Sequence, residues 1–310
     1  MKSTTVRRVS LSIAVVTALS GVAACSSSDS SGKGDKASGK GATHISPIAA
    51  LRTAEKSTDG ADSAKVESTT TLGSVMSMKA DGALGWGNGI TGTVTITYTG
   101  GTAADLMRRL GSTSMEARYL PDAYYAKMGD KFAQQSGGKH WIRYGYSDLE
   151  GLAGASGTAL KDQMQNTTPN QSVKLLLASG DVKKAGTEKV RGVNTTHYSG
   201  TVDVAGLTAK NTDLSASQLA ALKKQLTKAG VTTETVDIWV DGQNLLVKKA
   251  EKGQTANGAY TQTAYYSDYG VKVSATKPPA GDTEDFKQLL KKQGMTPGSS
   301  DTSSGSDSTS

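Results

Sequence analysis

The chain has 310 residues, of which 36% are hydrophobic and 20% charged, with 36 glycines, 6 prolines and a formal net charge of +7. Such a composition belongs to a folded globular chain and excludes a collagen repeat or a wholly disordered polymer. The single cysteine, Cys25, excludes an internal disulfide framework, a cysteine-rich zinc site and an iron–sulfur cluster, and His44, His140 and His197 lie too far apart in sequence to suggest a histidine metal centre.

In chain order, Lys2, Arg7 and Arg8 come first, followed by an apolar stretch from Val9 to Ala24. That stretch is shorter than the ~20 apolar residues a membrane-spanning helix needs, so residues 1–24 read as a cleaved export signal. It ends in Val22-Ala23-Ala24-Cys25, an aliphatic residue, two small residues and the chain's only cysteine, which resembles the bacterial lipobox. The resemblance implies a diacylglycerol on the Cys25 thiol, cleavage before Cys25, and anchorage at the outer face of the cytoplasmic membrane. Residues 25–43 then read as a lipidated Cys and flexible tether, because Ser26 to Gly41 has no apolar residue besides Ala37 and cannot offset its ordering entropy. Residues 298–310 form a second disordered, Ser-rich tail, which leaves 44–297 as a single folded domain. That domain keeps a basic balance. A basic exported domain meets an anionic bilayer rather than nucleic acid, for which it has no motif.

Within the domain, alternation outweighs helical periodicity. Met76, Met78 and Ala80 alternate with polar neighbours, as do Val94, Ile96 and Tyr98. The segment 103–110 is ambiguous between strand and helix. Strands are expected at 114–120, 123–128 and 139–145, with Pro121-Asp122 as a turn. Ser147 to Glu150 fits a capping box ahead of Leu152, Leu160 and Met164. Thr168 to Gln171 fits another, with Pro169 at the first helical position, Leu175 to Leu177 inside and Gly180 as the stop. A strand at 194–204 follows, then a helix opening at Ser215 with Leu219, Leu222 and Leu226 on one stripe and Gly230 at its end. Val236, Ile238 and Val240 alternate into an Asp241-Gly242 turn and a strand over 245–250. Strands at 259–266 and 271–276 and a helix over 283–292 complete an α+β domain with a largely antiparallel sheet.

The chemical motifs are weak. Gly87-Asn88-Gly89-Ile90-Thr91-Gly92 matches a dinucleotide fingerprint but runs into a Thr/Val strand, not the helix that would meet a pyrophosphate. Ser136-Gly137-Gly138-Lys139 has no partner motif of a penicillin-recognising site, and neither a nucleophile elbow nor a P-loop occurs. His140 and His197 read as structural, and the pairs Lys183-Lys184, Lys223-Lys224, Lys248-Lys249 and Lys291-Lys292 as solvated faces. No catalytic residue, metal ligand or cofactor site is expected, and the chain reads as a non-enzyme.

Several ordered stretches resemble the LppX/LprG family of actinobacterial lipoproteins, whose fold is related to the LolA carrier. They are Tyr124 to Met128 with Gly138 to Ile142, then Leu177 to Val182 with Gly192 to Tyr198, and last Val236 to Asp241 with Tyr266 to Gly270 and Pro278-Pro279. The resemblance implies a strongly curved antiparallel half-barrel with helices over its concave face and an apolar cavity between them. It further implies acyl chains of a lipid or glycolipid as ligand, the membrane and a membrane transporter as partners, and lipid transport or presentation as the task. The expected wall comprises Met76, Met78, Val94, Ile96, Tyr98, Tyr124 and Met128 from one part of the chain. Leu152, Leu176, Leu222, Leu226, Val236, Ile238 and Val240 complete it. The alternative is the same fold with a collapsed core, serving as an envelope assembly or signalling module.

Overall fold

The computed structural model describes residues 46–152, 168–207, 215–228 and 230–292. The export signal, Cys25, the tether, the C-terminal tail, Leu160 and Met164 lie outside the described residues, as does the side chain of Leu152.

Helix α1 (Pro47–Asp59) begins where the Ser46 hydroxyl accepts the Ala49 N–H at 3.2 Å and Pro47 sets the first turn, and it buries Leu51, Ala54 and Thr58. Strands β1 (Ser63–Leu72), β2 (Met76–Gly85) and β3 (Thr91–Gly100) follow as a meander. The 103–110 ambiguity resolves as helix α2 (Gly101–Arg109). Gly101 sits at φ +79°, and a Cβ there would lie 2.6 Å from the Met76 nitrogen, so only glycine permits the turn straight from strand to helix. Then come β4 (Ser114–Tyr119), β5 (Ala123–Lys127), α3 (Asp130–Gln135), β6 (Trp141–Gly145) and α4 (Tyr146–Leu152). Helix α5 (Asn170–Ser179) follows directly on Pro169, whose own φ of −55° and ψ of −36° are helical, and it stops at Gly180 with φ +68°. Strands β7 (Lys183–Val190) and β8 (Val193–Asp203), helix α6 (Ala216–Lys228) and strands β9 (Thr233–Asp241), β10 (Leu246–Thr255) and β11 (Gly258–Ser267) complete the main body. The described residues finish with a short β12 (Thr283–Asp285) and α7 (Phe286–Lys292), so the helix expected from 283 begins at 286. The strand expected at 271–276 is coil without a ladder.

Among the described residues, twelve strands form one sheet in the order β12-β6-β5-β4-β3-β2-β1-β11-β10-β9-β8-β7. Neighbours are antiparallel except β6 and β12, which are parallel. The sheet is curved and not closed, an α+β half-barrel with helices on its concave side. Register fixes which side chains face inward. Ala64, Val66, Ser68, Thr70 and Leu72 of β1 pair with Leu84, Gly82, Ala80, Met78 and Met76 of β2, and that row continues into Val94, Ile96 and Tyr98 of β3. The outer face carries Lys65, Glu67, Lys79, Asp81 and Thr95, all exposed. Edge strand β7 shows Lys183, Lys184 and Lys189 to solvent and bulges between Lys184 and Gly186, two features that discourage pairing with another chain.

Candidate functional site

The concave face divides into two halves with different cover. Over β8–β11, helix α5 packs on β8 and β9 and against α1. Its Val173, Leu176 and Leu177 join Leu219, Leu222 and Leu226 of α6 and Val236, Ile238, Val240, Leu246 and Tyr260 of the sheet in one cluster. Leu176, Val236 and Ile238 have no accessible surface at all, so no water-sized space borders them. This half is solid.

Over β2–β6 the same inner face is less complete. Met78 pairs with Tyr98, Ile96 with Met115, Tyr119 with Tyr124, and Tyr124 with Tyr144. Tyr124 is buried, but Met78, Ile96, Tyr98, Met115, Tyr119, Met128 and Tyr144 all keep part of their surface. The rings of Tyr119, Tyr124, Tyr144 and Phe286 step across the strands with centroids 5.1, 5.7 and 4.7 Å apart. Burial pushes the Tyr119 hydroxyl up to about 12 and those of Tyr98, Tyr124 and Tyr144 upward as well. These phenols are uncharged at neutral pH, and with the rings of Tyr98, Tyr119 and Tyr144 only partly covered this stretch of the concave face forms a half-covered recess. At the rim, a cleft of about 340 Å³ opens between β4, β5 and the start of α3, with Met115 and Met128 as apolar wall and Glu116, Lys127 and Asp130 beside them.

The expected wall residues are thus distributed over both halves. Met78, Ile96, Tyr98, Tyr124 and Met128 gather at the recess. Leu176, Leu222, Leu226, Val236, Ile238 and Val240 gather in the solid half, and Met76 and Val94 are buried. Met115, Tyr119 and Tyr144 join the recess without having been singled out, although alternation along 114–120 and 139–145 places them on that face.

The solid half also encloses a polar group that the sequence reading missed. Lys249, read as half of a solvated pair, is buried, and its Nζ donates to Ser172 Oγ at 2.8 Å and to Glu251 Oε1 at 3.3 Å. The Ser172 hydroxyl donates to the same Glu251 oxygen. Glu234 is wholly buried beside them, and neither of its oxygens has a partner; Glu251 Oε2 and the Tyr260 hydroxyl also lack one. Burial, and then the nearby Glu251 charge, raise the Glu234 carboxyl well above its ordinary value. Lys248, by contrast, points outward, its Nζ 3.7 Å from the Trp239 ring centroid. The other lysine pairs are exposed.

Both described histidines have structural partners. His197 Nε2 lies 2.8 Å from Asp237 and its ring stacks on Trp239 at 4.2 Å, while Asp282 Oδ1 lies 2.7 Å from His140 Nδ1 and accepts the His140 backbone N–H at 2.8 Å. Among the described residues, no group of three or more His, Cys, Asp or Glu is placed to hold a metal ion, and no helix is long and apolar enough to cross a membrane.

No protein-family model matches the chain. Among solved structures it is similar to the Mycobacterium tuberculosis lipoprotein LppX, with 16% identity and a TM-score of 0.44 over 74% of this chain and 98% of that one. It is also similar to LprF from Mycobacterium bovis, with 15% identity and a TM-score of 0.41 over 76% and 97% of the two chains. In sequence it is 62% identical to an uncharacterized 31.2 kDa protein of Streptomyces griseus encoded in the rplA-rplJ intergenic region, over 82% of this chain and 83% of the relative. It is 51% identical to a Streptomyces coelicolor protein named "Putative lipoprotein", over 95% of this chain and 100% of the relative. The chain belongs to the family of these two Streptomyces proteins.

Proposed function

We propose that the protein is a lipid-anchored envelope protein that binds acyl chains of a lipid or glycolipid in the recess of its concave face. It holds them for transport or presentation at the outer face of the cytoplasmic membrane. The observation that carries the reading is the uncharged, half-covered wall of Met78, Ile96, Tyr98, Met115, Tyr119, Met128 and Tyr144, set beside a half of the same face that is shut. Acyl chains need apolar walls and no directional chemistry, and adaptable Met side chains suit ligands of variable shape. Polar rim groups such as Lys127 and Glu116 suit the head of an amphiphile. The name of the Streptomyces coelicolor relative supports a lipidated Cys25 as the anchor, since acyl chains on a cysteine give durable attachment where a basic patch alone is reversible. The signal over 1–24, the tether over 25–43, the domain over 44–297 and the tail over 298–310 fit that arrangement. On this reading the protein is a binder rather than an enzyme, and a membrane transporter is a further partner class.

The solid half favours a second reading, an assembly or signalling module whose core is dry throughout. Native mass spectrometry of secreted Cys25→Ala chain separates the two: co-purified lipid supports the carrier, and an empty compact protein supports the module. The same variant is expected to leave the membrane fraction entirely and to take up no palmitate analogue. Equal labelling of wild type and variant would remove Cys25 as the anchor.

A further inference from the structure

We propose that Glu234 holds a proton in the folded protein, and that the cluster around it is a proton-linked latch between the sheet and helix α5. The proposal stands on geometry and is independent of what the recess binds. Glu234 lies on β9 with no accessible surface and no hydrogen-bond partner for either oxygen. The cation that faces it, Lys249, is already committed to Glu251 and Ser172. An ionised carboxylate in that position would be a buried charge without a counter-ion, the arrangement folded proteins avoid most strongly. The unpartnered oxygens of Glu234, Glu251 and Tyr260 have no exposed area, so neither a water nor a hydrated metal ion has room beside them. A proton is the ligand that needs no room.

The surroundings on every side agree. From β10, Glu251 and Lys249 face Glu234; from β11, Tyr260 and Tyr266, both with hydroxyls raised by burial; from β8, Tyr198 on the same inner face. On α5, Ser172 is the polar contact of the cluster, and Lys174 turns away to Glu55 at 3.6 Å. On α6, Leu219, Leu222 and Leu226 are the buried described side chains, while Lys223 and Lys224 are exposed. The Lys249–Ser172–Glu251 triangle is what ties α5 to β10. A second negative charge at Glu234 would compete for Lys249 and loosen that tie.

The sign follows from linkage. A carboxyl whose folded value is raised gives stability that is complete below the ordinary carboxylate range and declines as pH rises through it, until Glu234 ionises within the fold. One proton held by the folded state lowers the folding constant about tenfold per pH unit across that window. Infrared spectroscopy of the full chain at neutral pH should show the C=O stretch of a protonated carboxylic acid, lost in Glu234→Gln. Urea unfolding from pH 5 to 8 should give a ratio of wild-type to Glu234→Gln folding constants that falls about tenfold per unit, and amides of 173–179 should exchange faster in wild type as pH rises, after correction for intrinsic rates. A flat ratio, or an acid band absent from wild type, overturns the latch. Should Glu234→Gln not fold, the wild-type band alone decides: persistence from pH 5 to 8 supports the proposal, and disappearance through the ordinary carboxylate range overturns it.

Discussion

The two halves of the concave face use one sheet and one register yet end in opposite states. Over β8–β11 the cover is two helices rich in leucine, Leu175 to Leu177 on α5 and Leu219, Leu222 and Leu226 on α6, and the aliphatic side chains beneath lose essentially all accessible surface. Over β2–β6 the described cover is α2, α4 and α7, shorter helices, and Tyr and Met side chains below keep part of theirs. Both halves also bury glutamate, and one from each makes the comparison. Glu234 has no partner in the solid half, whereas Glu284 on β12 lies 2.8 Å from both Lys139 and Lys292. A curved sheet does not decide by itself whether its hollow is core or recess. The apolar content of the helices laid over it does.

The most severe way to break the contrast is to remove the cation of the solid half. Lys249→Met leaves Glu251 buried without its partner, and breaking a buried pair in this way costs about 3–5 kcal/mol. Lys127→Met, at the rim of the recess, should stay within about 0.5 kcal/mol, as surface changes do. Urea denaturation at pH 7 measures both, and equal midpoints would dissolve the distinction between the halves. Next is Leu176→Ala, expected to cost about 3 kcal/mol because the site is shut and a cavity would remain. Met128→Ala should cost about 1 kcal/mol, since its side chain is only partly removed from water.

The contrast was only partly legible in the sequence. Alternation located β2, β3 and β9 and their inward residues, and glycine stops located the ends of α5 and α6. The central strand β1 escaped because Ser63–Leu72 places Ser68 and Thr70 at inward positions, which dilutes its apolar pattern. Edge strand β7 escaped because it is lysine-rich, and its edge location favours that composition. Lys249 escaped for a geometric reason. Leu246 faces inward opposite Val240, so strict alternation would turn Lys248 in and Lys249 out. The irregularity between Leu246 and Lys248 adds a residue and reverses the parity, which puts Lys248 over Trp239 and Lys249 in the core. The division into solid and open halves depends on how far each helix reaches across the sheet, a property of tertiary packing that strand patterns do not encode.

A matched pair of insertions sharpens the comparison at smaller cost. Ile238→Trp forces a ring into a place with no free space and should cost about 1–3 kcal/mol. Ile96→Trp adds the same ring beside the recess, where it has room, and should cost under about 1 kcal/mol while lowering the lipid that co-purifies in native mass spectrometry. Similar losses of stability from both would mean the recess is as tightly filled as the core.

The smallest effect separates the two glutamates by the sign of their pH dependence. Lys139 and then Lys292 hold the Glu284 carboxyl below its ordinary value, against the opposing pull of burial. A lowered carboxyl contributes stability that is present above the ordinary carboxylate range and is lost as pH falls through the folded value, the reverse of Glu234. The magnitude is modest, because Lys292 is 65% exposed and Lys139 one-third exposed, and water screens their charges. Exposed pairs of this kind contribute about 0.2–1 kcal/mol. Glu284→Gln should therefore lower Tm slightly at pH 7, by a difference that shrinks as pH falls through the folded value of the wild-type carboxyl. Glu234→Gln should do the opposite, raising Tm relative to wild type as pH increases. Thermal unfolding of the two variants across pH 3 to 8 gives crossing difference curves if the halves bury their glutamates in the two ways described, and parallel curves if they do not.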